Sequence, residues 1–232
     1  MQQTTQPAPA PQAAKPKPPA PPPEFQEGDI ARMDAAALIR ILTDAGSPEF
    51  QKAKACQRIG ELGAKEAVPA LSSLLGNERL STYARYGLEP IADPTADEAL
   101  RAALSKLKGN LLIGVINSIG KRRDAQAGPA LAKMIYGADP YVARAAAAAL
   151  GNIGGVSAME DLQAALSKTQ GMTRMAVADA GLLCAERLLA EGQRDRALAL
   201  YASLSAVGMP EPARLAAMAG IIREETSISR PR

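Results

Sequence analysis

Histidine and tryptophan are absent from this 232-residue chain, and phenylalanine and cysteine occur twice each. Without His, the usual general base near neutral pH and the usual nitrogen ligand for transition metals are both missing. Cys56 and Cys184 fall in different units of the repeat described below. Several layers of stacked helices would hold them beyond the ~7 Å Cα separation that a disulfide tolerates. Two thiols in separate layers build no structural zinc site, so both read as small buried hydrophobes and leave the redox compartment open. Aromatic residues make up 3% of the chain. A compact globule of this size centres on large aromatic side chains, whereas a stack of repeats that each pack only on their neighbours does not need them. No apolar run reaches the ~18 residues of a membrane span, and no apolar signal core follows Met1. No stretch alternates with period two, and no glycine-rich phosphate loop is present. The formal charge is +3, of which Lys15 and Lys17 supply two. That balance lacks the strongly basic face of a nucleic-acid binder. These absences lead to the expectation of no catalytic, cofactor-binding or metal-binding residues, and of a chain that is not an enzyme.

What is present is helix-forming sequence built on Ala and Leu. The segment from Asp139 to Gly154, DPYVARAAAAALGNIG, shows the pattern most clearly. Asp139 is placed to cap a helix, and Pro140 fits its first position. A run of Ala follows, Leu150 and Ile153 are the anchors, and Gly151, Gly154 and Gly155 close the helix. A helix with so small a face buries little alone and has to be one of a stack. Ahead of the stack, residues 1–27 read as a Pro/Ala-rich linker, with nine prolines among the first 23 residues. That composition favours extended polyproline II and forms no core. Such spacers follow removed leaders in exported bacterial proteins, so the compartment stays open between the periplasm or export and the cytoplasm. A proline-motif ligand at Pro18–Pro23 is a weaker reading. Residues 227–232 are polar and read as a frayed tail.

Four units align between these ends. Ile59, Leu88, Ile116 and Leu150 are taken as equivalent, followed three residues later by Leu62, Ile91, Ile119 and Ile153. A second helix begins at Ala67, Ala96, Ala127 and Ala158, with Leu71, Leu100, Leu131 and Leu162 and then Leu75, Leu104, Ile135 and Leu166 on its inner side. The period is 28 to 34 residues, and the third unit carries three extra residues around Lys121, Arg122 and Arg123. Helix pairs at this period predict an all-α fold, an α-solenoid over residues 28–226. A short helix over Asp34–Leu42 would cap its first layer, and later helices follow at Gly171–Glu191, Glu191–Leu204 and Pro210–Glu224.

The unit DPYVARAAAAALGNIGGVSAMEDLQAAL resembles a HEAT repeat of the short bacterial type found in phycobilin lyases, and KACQRIGELGAKEAVPALSSLL is similar. The resemblance spans roughly residues 34 to 225. It implies a right-handed solenoid with the second helix of each pair lining a concave face. On that face the helical period selects Ser72, Arg101, Lys133, Tyr136 and Gln163 as partner-binding residues. Lys121, Arg122 and Arg123 join them as an anchor for an acidic surface or phosphate, the alternative being a solvated loop. The function this implies is a protein-interaction scaffold, monomeric, with an unknown protein partner and neither nucleic acid nor a membrane span involved. Two further readings come from relatives of the repeat: a bilin lyase or lyase chaperone, for which the aromatic wall is thin, and a HEAT-like nucleic-acid binder.

Overall fold

The computed structural model describes Pro22 and residues 29–228. The expected Pro/Ala-rich linker and the frayed tail lie outside the described residues, apart from Pro22 and the last turn of the final helix. The described residues are helical, with no strand. α1 (Ala35–Thr43) precedes α2 (Glu49–Leu62), α3 (Val68–Ser73), α4 (Ser81–Leu88), α5 (Pro94–Ala103) and α6 (Gly109–Arg122). α7 (Gly128–Met134), α8 (Pro140–Ile153), α9 (Gly155–Lys168), α10 (Gly171–Ala190), α11 (Arg194–Leu204) and α12 (Glu211–Ile228) follow. The even-numbered helices from α2 to α12 pack side by side in one row, and α3, α5, α7, α9 and α11 lie against them as a second row. The result is a solenoid-like stack.

Local chemistry starts these helices where the sequence places the signals. Asp34, Asp93 and Asp139 accept hydrogen bonds from backbone N–H groups of the first turns they precede, Asp139 from both Tyr141 and Val142. These carboxylates satisfy donors that have no partner inside the helix. Between the rows, the aliphatic positions of the aligned units are buried, with Leu71, Leu100, Leu131 and Leu162 fully so. Leu62 is the exception, at 42% exposure.

The ends of α2 and α6 expose an error of register in the third unit. α2 and α6 are both 14 residues long and end alike. Gly63 and Arg123 each adopt the left-handed conformation, with φ of 64° and 59°. In each case the next N–H reaches back to the carbonyl of Ile59 or Ile119 at 3.3 Å. This is one C-capping motif used twice, and a short 3₁₀ turn follows both, at Lys65–Ala67 and Ala125–Ala127. Ile119 is therefore the partner of Ile59, Leu88 and Leu150, and the units recur every 29 to 31 residues. The third unit has no insertion. Arg122 takes the position held by Ile91 and Ile153, and Arg123 takes that of Gly63.

The even-numbered row is drawn together by glycine. A Cβ on Gly120 would stand 2.8 Å from the Cα of Ala149, and one on Gly151 would stand 2.7 Å from the carbonyl oxygen of Ala180. Backbones of α6, α8 and α10 approach so closely that no side chain fits between them at these two points.

Candidate functional site

The predicted partner-binding residues do not converge. Arg122 is inside the fold, its side chain only 9% exposed. Its guanidinium grips Asp97 with two bonds, of 2.5 and 2.9 Å. Its Nη1 donates to the carbonyls of Leu88, Glu89 and Ile91, at 3.1, 2.8 and 2.6 Å. These carbonyls lie at and beyond the end of α4; that of Leu88 also accepts from the Ile91 N–H at 3.2 Å. Arg101 is likewise held by the buried carboxylate of Asp124 at 2.5 Å. Both arginines are engaged within the fold, each neutralising a carboxylate that is buried or largely so. Lys121 ends α6 and pairs with Glu89 at 2.6 Å, and Arg123 pairs with Glu191 at 3.5 Å. Gln163 donates to Ser203 across α9 and α11 at 3.1 Å. Ser72 borders a shallow depression of about 220 Å³ between α3 and α5. Lys133 and Tyr136 are exposed near the end of α7.

A larger concavity lies on the other row. Across α6, α8 and α10 runs a depression of about 510 Å³, bordered by Ile113, Asn117, Tyr141, Arg144, Asp179 and Leu183 and floored by Ala145, Ala148, Ala176 and Ala180. Asn117 and Ala148 also border a second depression of about 370 Å³, whose other walls are Lys121, Asn152 and Arg187 over Gly120 and Ala149. The two make one trough with unlike halves. Tyr141, 63% exposed, Leu183 and the Ala floor make the first half mainly apolar, with the charges of Arg144 and Asp179 on its rim. The second half is amide and cation, and beyond it the Lys121 ammonium sits 5.9 Å from the ring of Tyr86. The close approach of the three helices creates the trough: Gly and Ala keep the floor low while longer side chains rise on both sides.

The electrostatics of the second half centre on Arg187. Its Nη2 donates to Asn152 at 3.3 Å, and its buried Nε has no hydrogen-bond partner. Burial holds its pKa below the ordinary arginine value, and the neighbouring charge of Arg123 acts in the same direction. Elsewhere, burial pushes the Cys56 thiol up to about 12 and the Cys184 thiol up to about 11, so both are protonated near neutral pH. Among the described residues, no group of three or more His, Cys, Asp or Glu is disposed to hold a metal ion. No described helix is long and apolar enough to cross a membrane.

Sequence reasoning missed the trough. Its signal was the row of outward Ala residues on α8, which read as helix propensity instead of as a floor, together with Tyr141 immediately after the Asp139–Pro140 cap.

Residues 142–168, which make up most of α8 and α9, match the family model of the PBS lyase HEAT-like repeat. No curated protein matches the chain. The crystal structure of an engineered protein is similar over 84% of this chain and 98% of that one, at 17% identity and a TM-score of 0.51, a likeness of fold. The structure of human deoxyhypusine hydroxylase in complex with glycerol is 16% identical over 65% of this chain and 73% of that chain, with a TM-score of 0.40. The expectation that the chain is not an enzyme is corrected here. The repeat matched at residues 142–168 is named for a lyase. A missing residue inventory excluded particular chemistries and was wrongly extended to all catalysis, although one fold carries many functions.

Proposed function

We propose that this chain, a HEAT-like repeat protein, is a scaffold that holds a protein partner in the trough across α6, α8 and α10. In this reading the stack is a right-handed solenoid, and the working surface is the even-numbered row. The observation that carries it is the exposed pair Tyr141 and Leu183 beside a floor of small residues. An exposed aromatic next to a concavity is a common anchor of protein interfaces, and a low floor lets a partner backbone come close. The odd-numbered row offers the exposed Lys133 and Tyr136, so it is the comparison arm of the test.

The test is cross-linked capture from native lysate, with partners identified by mass spectrometry. Three baits are compared: wild type, Tyr141→Ala/Leu183→Asp, and Lys133→Glu/Tyr136→Ala. The expected outcome is one protein held by wild type and by the Lys133/Tyr136 variant and lost from the Tyr141/Leu183 variant. The reverse pattern would move the interface to α7.

The matched repeat favours a second reading, in which the chain acts as, or assists, a lyase that handles a bilin. Mixing purified protein with a bilin tests it, and an unshifted absorbance spectrum removes it.

A further inference from the structure

We infer that the polar half of the trough, walled by Lys121, Asn117, Asn152 and Arg187, is a receptor for an acidic peptide segment whose apolar neighbour seats against Tyr141 and Leu183. The inference rests on the trough being the partner site and names the chemistry of what enters it.

Charge and shape carry the inference together. Three cations, Lys121, Arg123 and Arg187, gather where α6, α8 and α10 end, against the two carboxylates Glu89 and Glu191. Glu89 is itself almost buried, and its two oxygens are already taken by Ser118 at 2.8 Å and Lys121 at 2.6 Å. Glu191 faces Arg123 at 3.5 Å. Arg187 shares the Glu191 charge with Arg123, which repels it, and its direct hydrogen bond goes to a neutral partner, Asn152, while its buried Nε has none. A carboxylate in the depression of about 370 Å³ would meet this guanidinium over a floor of Gly120, Ala148 and Ala149, with no bulky side chain in the way. Charge-assisted hydrogen bonds of arginine to carboxylate are among the stronger polar contacts, and a planar guanidinium suits them. The adjoining half of about 510 Å³ supplies the apolar contact that a lone anion site lacks. A ligand that uses both halves has to carry acidic and apolar groups in succession, as a peptide does.

The experiment is selection of random twelve-residue peptides displayed on phage. The targets are immobilised wild type, Lys121→Gln/Arg187→Gln, Asn117→Asp and Tyr141→Ala. Arg187 packs across Gly154 and its loss can disturb α10, so thermal melting of each variant is recorded. Asn117→Asp places a negative charge in the trough at an exposed position and serves as the variant that spares the fold. Wild type is expected to enrich peptides with Asp or Glu next to Leu, Phe or Met. Enriched peptides should bind Asn117→Asp and the Lys121/Arg187 variant at least tenfold more weakly by fluorescence anisotropy, and should weaken between 50 and 300 mM NaCl. Enriched peptides without an acidic excess that still depend on Tyr141 would overturn this inference and leave the trough as a partner site. Enrichment that ignores all the variants, or none at all, would overturn both. Inorganic phosphate binding wild type but not Asn117→Asp, with no acidic peptide doing so, would mark a small-anion site and overturn the peptide reading.

Discussion

Position 122 puts a guanidinium where the neighbouring units put isoleucine. Ile91 and Ile153 satisfy the site by burying apolar surface, and Arg122 satisfies it by pairing with Asp97 and three carbonyls around the end of α4. The two solutions are not interchangeable one residue at a time. Removing Arg122 takes the guanidinium from the Asp97 carboxylate and from the carbonyls of Glu89 and Ile91, leaving the Leu88 carbonyl only the Ile91 N–H, and breaking a buried pair costs about 3–5 kcal/mol. Arg122→Ala is therefore expected to lower unfolding stability by about 3 kcal/mol in urea. Arg122→Lys should recover only a minor part, because an ammonium cannot fork onto Asp97 and reach the carbonyls together. A loss below about 1 kcal/mol for Arg122→Ala would mean that water replaces these bonds without penalty. Arg101, one turn beyond Asp97 on α5, and Asp124, just past the end of α6, obey the same logic between the same two helices. Both arginines look from the sequence like surface charge, since nothing in their neighbours marks the carboxylate each is folded onto.

The spacing of the even-numbered helices is set by glycines that serve no turn. At Gly151 a methyl group would stand 2.7 Å from the carbonyl oxygen and 2.9 Å from the Cα of Ala180, both of them backbone atoms. Gly151→Ala should push α8 and α10 apart, destabilise the chain by about 1–3 kcal/mol and raise the floor of the trough. Gly128 is the control. It starts α7 with φ of −46°, and apart from its chain neighbours nothing lies within 4 Å of its missing Cβ. Gly128→Ala should change stability by less than about 1 kcal/mol, because the gain in helix propensity and unfolded-chain stiffness is offset by crowding of the new Cβ against Pro129. Equal Tm shifts for the two variants would refute the close-packing account. Helices of this kind were largely legible beforehand, because Asp139–Pro140 and the aliphatic positions around Leu162 signal by local chemistry. The register of the third unit was not. Its left-handed cap is Arg123 instead of glycine, and its buried position is charged, so both cues pointed to an inserted loop. The trough was illegible for another reason: it is assembled by three helices about thirty residues apart, and no window of sequence contains it.

At the scale of the whole stack, each layer touches only its neighbours, so stability should be graded along the chain instead of shared evenly. α12 is the last described layer, packed on α11 and α10. Its seating depends on Tyr201, whose buried ring leaves room only for glycine at 220: a Cβ there would stand 2.7 Å from the ring. The Tyr201 hydroxyl donates to Glu186 on α10 at 2.5 Å, and Arg223 on α12 donates to the same carboxylate oxygen at 2.7 Å. Three helices thus meet at one carboxylate, and Gly220→Ala strains the joint from the α12 side without altering any charge. Overpacking of this size costs about 1–3 kcal/mol, which corresponds to roughly a 5- to 150-fold increase in local opening. Hydrogen exchange followed by mass spectrometry should show that acceleration in α12 and the end of α11, with α2 to α8 unchanged. Acceleration spread equally over all helices would mean that the stack opens as one cooperative block. A partner seated in the trough across α6, α8 and α10 would then stabilise every layer alike. Graded opening instead predicts that such a partner protects those three helices most and leaves α12 to open much as it does in the free chain.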